Sequence, residues 1–184
     1  MTMVQERLVA ALTVALNVYH PETAAHGIRT APIALRIGLE LGMDADELML
    51  LETAGMLHDV GKLHVPFDTL ECLTPLTEAQ WAEIYLHPVA GANLIGSSML
   101  MVETAVRSHH ERWDGTGYPS GIAGTVIPLT ARIVAIACCW DVMTTGRPYK
   151  GPLSQHEAAD ELRKGAGSQF DPGVVAAFLG GLRP

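Results

Sequence analysis

Hydrophobic residues recur at helical spacing along most of the chain. From about residue 4 to residue 19, apolar side chains lie three or four positions apart, as on one face of an α-helix. A second segment of this kind runs from about residue 22 to residue 41, and Gly42 is suited to end it. Pro32 lies inside the second segment and lacks a backbone N–H, so we expect a kink there or two shorter helices.

The later apolar segments begin at residues that commonly start helices. Asp44 or Asp46 is suited to cap a third helix, which Gly61 and Pro66 would break. The stretch Thr77-Glu78-Ala79-Gln80 has the pattern of a capping box, and the prolines at positions 88, 128 and 172 suit a first helical turn. The predicted later helices cover about residues 44–58, 77–87, 88–95, 99–110, 128–140, 154–162 and 171–181.

The pattern as a whole predicts an all-α fold. No stretch alternates between apolar and polar residues for long enough to form a central sheet. Glycines and a proline at about residues 115–124 indicate a long turn-rich loop, with or without a small hairpin. Because no repeat, low-complexity tract or linker divides the sequence, we expect residues 1–184 to form a single domain.

The charge balance and the apolar runs exclude several classes of protein. The chain has 12 Lys and Arg against 20 Asp and Glu, a net charge of −8, which argues against binding of nucleic-acid polymers. It does not exclude a small phosphate ligand held by metal ions. Apolar runs such as residues 133–140 are too short to span a bilayer, and the N-terminus has no signal-peptide layout. We therefore expect a cytoplasmic protein with no membrane partner.

Histidines and carboxylates concentrate near the predicted helix ends. Glu22 and His26 are four positions apart, so both side chains lie on one helix face, and His58-Asp59 and His109-His110 are adjacent pairs. Neutral imidazole and carboxylate suit divalent ions such as iron, manganese or zinc. A lone histidine is more often hydrogen-bonded or solvated than a ligand, and we assign the other three histidines to that class. The candidate ligands are Glu22, His26, His58, Asp59, His87, His109 and His110.

A series of short motifs follows in order along the chain. The first is His58-Asp59-Val60-Gly61-Lys62, the second is His87-Pro88 with Gly91, and the longest runs without a break from His109 to Pro119. Two shorter pieces, Ile127-Pro128-Leu129 and Arg147-Pro148-Tyr149, come after it. With these motifs the sequence resembles the HD-GYP family of bacterial HD-superfamily phosphodiesterases. The similarity extends from about residue 20 to residue 180, and the long motif is its most specific part.

The resemblance implies a fold, a reaction and a set of site residues. The fold would be a five-helix HD core with additional C-terminal helices and a loop bearing the Gly-Tyr-Pro motif. The reaction would be metal-dependent hydrolysis of cyclic di-GMP to linear pGpG, GMP or both, using two or three divalent ions. Iron or manganese would be the metal, with zinc and nickel as alternatives, and Glu22 would mark a member that holds three ions.

The resemblance also assigns a role to each site residue. It assigns Asp59 and Lys62 to catalysis, with Lys62 facing the scissile phosphate. The metal ligands that it implies are Glu22, His26, His58, Asp59, His87, His109 and His110. The substrate contacts that it implies are Gly117, Tyr118, Pro119, Arg147 and Lys150.

Two positions depart from the family pattern. Cys138 stands where an aspartate usually ligates metal, and Cys72 stands where a lysine is common. Cysteine can ligate as a thiolate, but it is a softer donor and cannot bridge two ions through separate oxygens. Cys138 is therefore either a metal ligand or an inert core thiol. Asp141, three residues later, could substitute only if its helix shifted.

The sequence thus predicts a hydrolase of bacterial second-messenger signalling, in which paired cations lower the pKa of a water from roughly 16 toward about 7. One competing interpretation is a catalytically impaired sensor that binds cyclic di-GMP or metal and signals through partners. Another keeps the chemistry and changes the substrate to a different cyclic dinucleotide or a nucleoside phosphate. Since no regulatory segment is evident, we expect control from a homodimer, from a regulatory protein partner or from parts absent from this sequence.

Overall fold

The described part of the chain is built from α-helices. The computed structural model describes residues 1–146 and 151–182, and within these ranges no strand is formed, so the prediction of an all-α fold is confirmed. Short 3₁₀ helices lie at Val60–His64, Ser97–Met99 and Gly124–Val126. The α-helices are α1 (Met3–Tyr19), α2 (Pro21–Glu40), α3 (Ala45–Leu57), α4 (Phe67–Leu70), α5 (Glu78–Tyr85), α6 (His87–Ile95), α7 (Leu100–Ser108), α8 (Leu129–Thr145), α9 (Gln155–Gly165) and α10 (Pro172–Gly181).

Side-chain caps explain where several helices begin. The side chains of Asp44, Thr77 and Ser154 each accept a hydrogen bond from the backbone N–H three residues later, and the residue there completes a capping box. Asp44 is therefore the cap of α3, and Asp46 lies in its first turn. Each such cap contributes about 1 kcal/mol, because it satisfies donors that the helix leaves free. The helix starts predicted at these residues are confirmed.

The structure decides three local points of the prediction. Pro32 lies inside one continuous helix, α2, so the alternative of two shorter helices is wrong. The buried residues of α2 pack against both α3 and α8, and this packing holds the helix together across the proline. His87 is the first residue of α6 and does not lie late in α5. No hairpin forms in the described loop after His110, where Gly115, Gly121 and Gly124 have positive φ and produce turns.

The hydrophobic core lies where α2, α3, α7 and α8 pack together, and α9 and α10 pack against α8. Ile37, Leu51, Val102, Ile133 and Phe178 are among its fully or almost fully buried side chains. Burying a side chain of this size contributes about 1.5–3 kcal/mol. The core therefore fixes the ends of the helices on which the histidines and Asp59 lie.

Among the described residues, no single helix has both the length and the apolar composition needed to cross a bilayer. Glu78–Ile95 and Ser97–Ser108 reach that length and composition only together, as a pair bent by 87°.

Candidate metal and substrate site

Four of the predicted ligands meet in one group, which we call the aspartate cluster and in which all members but His110 are buried. It consists of Asp59, His87, His109 and His110, whose potential ligand atoms lie within 4.8 Å of one another. His87 Nε2 lies 3.2 Å from Asp59 Oδ1 and 3.3 Å from His109 Nε2. His109 Nε2 lies 3.9 Å from the same Asp59 oxygen. One carboxylate and three imidazoles therefore point toward a common centre.

A second group, the cysteine cluster, lies beside the first. It consists of His26, His58 and Cys138, again with potential ligand atoms within 4.8 Å of one another. Cys138 Sγ lies 3.4 Å from His26 Nε2, and the rings of His26 and His58 meet edge to face at 5.0 Å. His58 Nε2 lies 3.4 Å from Asp59 Oδ2. Asp59 thus has one oxygen toward each cluster.

Backbone carbonyls set the orientation of three histidine rings. Nδ1 of His58, His87 and His109 each lies 2.6–2.8 Å from the carbonyl oxygen three residues earlier. A neutral ring in this arrangement donates from Nδ1 to the carbonyl, which leaves the Nε2 lone pair free to bind a metal. The helix backbone itself therefore turns the three Nε2 atoms toward the clusters.

A carboxylate sets the orientation of His26. Asp141 on α8 lies 2.7 Å from His26 Nδ1 and accepts hydrogen bonds from Arg29 at 2.8 and 2.9 Å. Burial alone would raise the Asp141 pKa, but the hydrogen bonds from His26 and Arg29 lower it to about 2. Asp141 is not a substitute ligand for Cys138, as the sequence had allowed. It positions His26, and Arg29 holds it in place.

The buried site residues differ in their state of ionisation. Burial lowers the pKa of His58 to about 4 and that of His110 to about 3, so both rings are neutral at pH 7. Burial would raise the Asp59 pKa, but the positive charge of Lys62 is the largest influence in the opposite direction, and that pKa lies well below its usual value. Burial, with Cys139 and Asp59 nearby, raises the pKa of Cys138 well above its usual value. Without a metal, Asp59 is therefore a carboxylate and Cys138 a thiol.

The residues present fit a pair of divalent ions. His58 Nε2 is completely buried and has no hydrogen-bond partner, an arrangement that is unfavourable in a protein interior unless the atom binds something. Neutral imidazole, carboxylate and thiolate are ligands that first-row transition ions accept. Glu22 lies one turn before His26 on α2, but it is exposed and belongs to neither cluster. The two clusters could therefore hold one ion each.

Lys62 lies next to the aspartate cluster. Its Nζ donates a hydrogen bond to Asp59 Oδ2 at 2.7 Å, and about a quarter of its side chain is exposed. The glycine before it allows this placement, because a Cβ at Gly61 would lie 1.9 Å from the carbonyl oxygen of His87. The 3₁₀ turn at Val60–His64 can therefore lie directly against α6, with the lysine at the edge of the cluster.

The Gly-Tyr-Pro loop covers the aspartate cluster. The ring of Tyr118 stacks on His110 with centroids 4.7 Å apart, and its backbone N–H donates to the His110 carbonyl at 3.2 Å. A Cβ at Gly117 would lie 2.4 Å from the backbone nitrogen of Arg112, so the loop folds back tightly. The peptide bond before Pro119 is cis. A cavity of about 310 Å³ lies here, lined among others by His110, Tyr118 and Cys138.

Two acidic residues that follow the histidine pair hold the loop. The buried Glu111 accepts a hydrogen bond from the Ser120 N–H at 2.7 Å. Asp114 accepts one from the Thr116 N–H at 3.0 Å and pairs with Arg112. Of the predicted substrate contacts, Arg147 and Lys150 lie outside the described residues.

Comparisons with known proteins identify the family. The model of the HD domain matches residues 10–174. The cyclic di-GMP phosphodiesterase response regulator RpfG of Xanthomonas campestris is 38% identical over 164 residues, which are 86% of this chain and 43% of that protein. The 3'3'-cGAMP-specific phosphodiesterase 2 of Vibrio cholerae is 33% identical over 178 residues, which are 95% of this chain and 34% of that protein.

A solved structure supports the same fold. The crystal structure of a cyclic GMP-AMP specific phosphodiesterase of V. cholerae, V-cGAP3, aligns with a TM-score of 0.71 and 24% identity over 96% of this chain and 48% of that one. The chain spans less than half the length of each of these three relatives. The resemblance to HD-GYP phosphodiesterases is thereby confirmed, and the chain belongs to the HD domain family.

Proposed function

We propose that this chain is a metal-dependent phosphodiesterase that hydrolyses cyclic di-GMP to linear pGpG, GMP or both in bacterial second-messenger signalling. The observation that carries the proposal is the meeting of two donor clusters at Asp59, directly beneath the loop of Gly117, Tyr118 and Pro119. Relatives named as cyclic di-GMP phosphodiesterases, at 36–38% identity, support the choice of substrate.

The ligand sets follow from the two clusters. Asp59, His87, His109 and His110 would hold one ion, and His26, His58 and Cys138 would hold the other, with Asp59 between them. Glu22 would serve a third ion. Iron or manganese, with zinc or nickel as alternatives, would supply a Lewis acid and a source of hydroxide at neutral pH.

The chain's own residues would orient the substrate and balance its negative charge. Hydrolysis forms a bond from a water oxygen to phosphorus and breaks the bond from phosphorus to a ribose oxygen, which takes up a proton. Lys62, which donates a hydrogen bond to Asp59, would face the phosphoryl oxygens with its positive charge. Arg147 and Lys150 would contact the phosphates, and the Gly-Tyr-Pro loop would form the wall of the substrate cleft.

Two other interpretations have specific support. A sensor without turnover is favoured by Cys138, a protonated thiol in the absence of metal where the family has a carboxylate. Another cyclic dinucleotide as substrate is favoured by relatives named 3'3'-cGAMP-specific phosphodiesterases, at 31–33% identity. We further propose that residues 1–184 form one cytoplasmic domain controlled through a homodimer or a regulatory protein partner.

One experiment separates these interpretations. The protein is purified with iron or manganese retained, its metals are counted, and it is assayed on cyclic di-GMP, 3'3'-cGAMP and cyclic di-AMP. We expect hydrolysis of cyclic di-GMP, its loss on chelation, and its loss in Asp59→Asn. Full metal occupancy with binding of a cyclic dinucleotide, but no product from any of the three, would leave the sensor as the remaining interpretation. Faster turnover of 3'3'-cGAMP than of cyclic di-GMP would change the assigned substrate but keep the proposal that the chain is a phosphodiesterase.

A further inference from the structure

Aromatic rings form a continuous series from the aspartate cluster to the protein surface. Tyr118 stacks on His110 with centroids 4.7 Å apart and an angle of 15° between the rings. Tyr85 meets Tyr118 edge to face, also at 4.7 Å. Trp81 then stacks on Tyr85 at 5.7 Å with an angle of 26°. We call Trp81, Tyr85 and Tyr118 the aromatic series.

The outer two rings are not used to build the core. They lie four residues apart on α5, a helix of eight residues in which no side chain is buried. Trp81 is 45% exposed and Tyr85 47% exposed, although both are large apolar side chains. Packing of the fold therefore does not explain why two aromatic rings lie on this helix.

The position of the rings indicates what they would bind. Their inner end, His110, belongs to the cluster that would hold the metal, so Tyr85 is two ring contacts away from that cluster and Trp81 is three. A nucleotide with its phosphate at the metal cluster must direct its base outward from that cluster. Flat, exposed aromatic rings bind nucleobases by stacking.

We propose that Trp81 and Tyr85 form a stacking surface for a guanine base of the cyclic dinucleotide. The inference rests on the proposed function, because it takes the phosphate to lie at the aspartate cluster. A protein partner could also use exposed aromatic residues. It would not require their ring contacts to continue through Tyr118 to His110, and this continuity favours the base.

The test compares aromatic and non-aromatic variants of the metal-loaded chain. Trp81→Ala and Tyr85→Ala should each raise the KM for cyclic di-GMP by roughly 5- to 150-fold, the range that loss of one base stack produces, with kcat changed much less. Trp81→Phe and Tyr85→Phe keep a ring and should stay near wild type, which also separates stacking from folding defects. Leu100→Ala is the matched control, since Leu100 is 63% exposed on α7 and outside the aromatic series.

A competition experiment isolates the base from the phosphate. GMP should inhibit the wild type more strongly than ribose 5-phosphate does, and Trp81→Ala and Tyr85→Ala should weaken inhibition by GMP alone. Equal loss for both inhibitors, or an unchanged KM in both alanine variants with hydrolysis intact, overturns the stacking surface and leaves the phosphodiesterase proposal standing.

Fluorescence provides a readout that does not require turnover. Cyclic di-GMP should quench tryptophan emission in the wild type, and Trp81→Phe should abolish the quenching because Trp140 is buried and Trp113 lies outside the aromatic series. Quenching of this kind without any hydrolysis supports the stacking surface and overturns the phosphodiesterase proposal. Quenching that persists in Trp81→Phe overturns the stacking surface.

Discussion

Replacing Cys138 with aspartate should change which metal ion binds beside His26 and His58. Burial, with Cys139 and Asp59 nearby, raises the pKa of the Cys138 thiol well above its usual value, so the thiol is protonated at pH 7. An ion must displace this proton before the sulfur can ligate. A carboxylate at the same position, already ionised, would ligate without releasing a proton.

The size of the effect follows from the free energy needed to remove the proton from the thiol. Each unit between the pH and the thiol pKa costs 1.36 kcal/mol, and even an unperturbed cysteine has a pKa of about 8.5. Ligation by Cys138 at pH 7 therefore costs at least about 2 kcal/mol, or roughly 30-fold in affinity. Mn²⁺ gains little from sulfur, so Cys138→Asp should bind Mn²⁺ at least roughly 30-fold more tightly. Zn²⁺ gains from thiolate, so its affinity should rise less or fall.

Calorimetric titration of the metal-free protein with Mn²⁺ or Zn²⁺ at several pH values measures the affinity for each ion and its dependence on pH. In the wild type, affinity at this position should rise about tenfold more per pH unit than in Cys138→Asp, because only the thiol releases a proton. Cys72→Ser removes a thiol that belongs to neither cluster and should keep the wild-type slope. Equal slopes and equal Mn²⁺ and Zn²⁺ preferences in the wild type and Cys138→Asp would refute ligation by Cys138.

Three further predictions concern Asp141, Gly61 and His58, which position, support or form the two clusters. Asp141→Asn should lower metal retention at the cysteine cluster by about 10- to 100-fold, because His26 loses its carboxylate partner; unchanged metal content after dialysis would contradict this. Gly61→Ala should lower the free energy of unfolding in urea by at least about 1–3 kcal/mol, since its methyl group would collide with backbone. Gly180→Ala, whose added methyl meets no atom outside its own stretch of helix, is its control and should be neutral or slightly stabilising, because alanine favours a helix more than glycine does. The metal-free protein should lose stability as the pH falls from about 6.5 to 4, because the unfolded chain then binds a proton that His58, with its pKa lowered to about 4, does not. The loss from this residue is up to about 3 kcal/mol, and a flat profile in thermal or urea unfolding across that range would contradict it.

The sequence predicted the helices well because local signals agree with the packing. Capping residues such as Asp44, Thr77 and Ser154 act within a single turn, so their effect is visible in the sequence itself. The apolar spacing likewise matched the buried faces of the helices. The alternative of two shorter helices at Pro32 was wrong because the loss of one hydrogen bond is local, whereas the contacts of α2 with α3 and α8 are not.

The sequence indicates which residues are candidate metal ligands, but it does not show how they are arranged in space. Adjacent pairs such as His58-Asp59 indicate metal chemistry, yet spacing alone does not say which donors share an ion. The contact between His26 and Asp141 joins residues 115 positions apart, and only the packing of α2 against α8 brings them together. For the same reason, nothing in the sequence marks Trp81 and Tyr85 as an extension of the ring stack that begins at His110.

The contacts around the cysteine cluster favour Cys138 as a ligand over an inert thiol. His26 is held by Asp141, which is held in turn by Arg29, and its Nε2 faces the sulfur at 3.4 Å. If no ion were bound there, the buried His58 Nε2 would have no hydrogen-bond partner, at a cost of about 1–3 kcal/mol. One ion bound by His26, His58 and Cys138 would satisfy that atom and use the fixed orientation of His26. We therefore expect the cysteine at this position to change the kind of ion that the site prefers without removing the site.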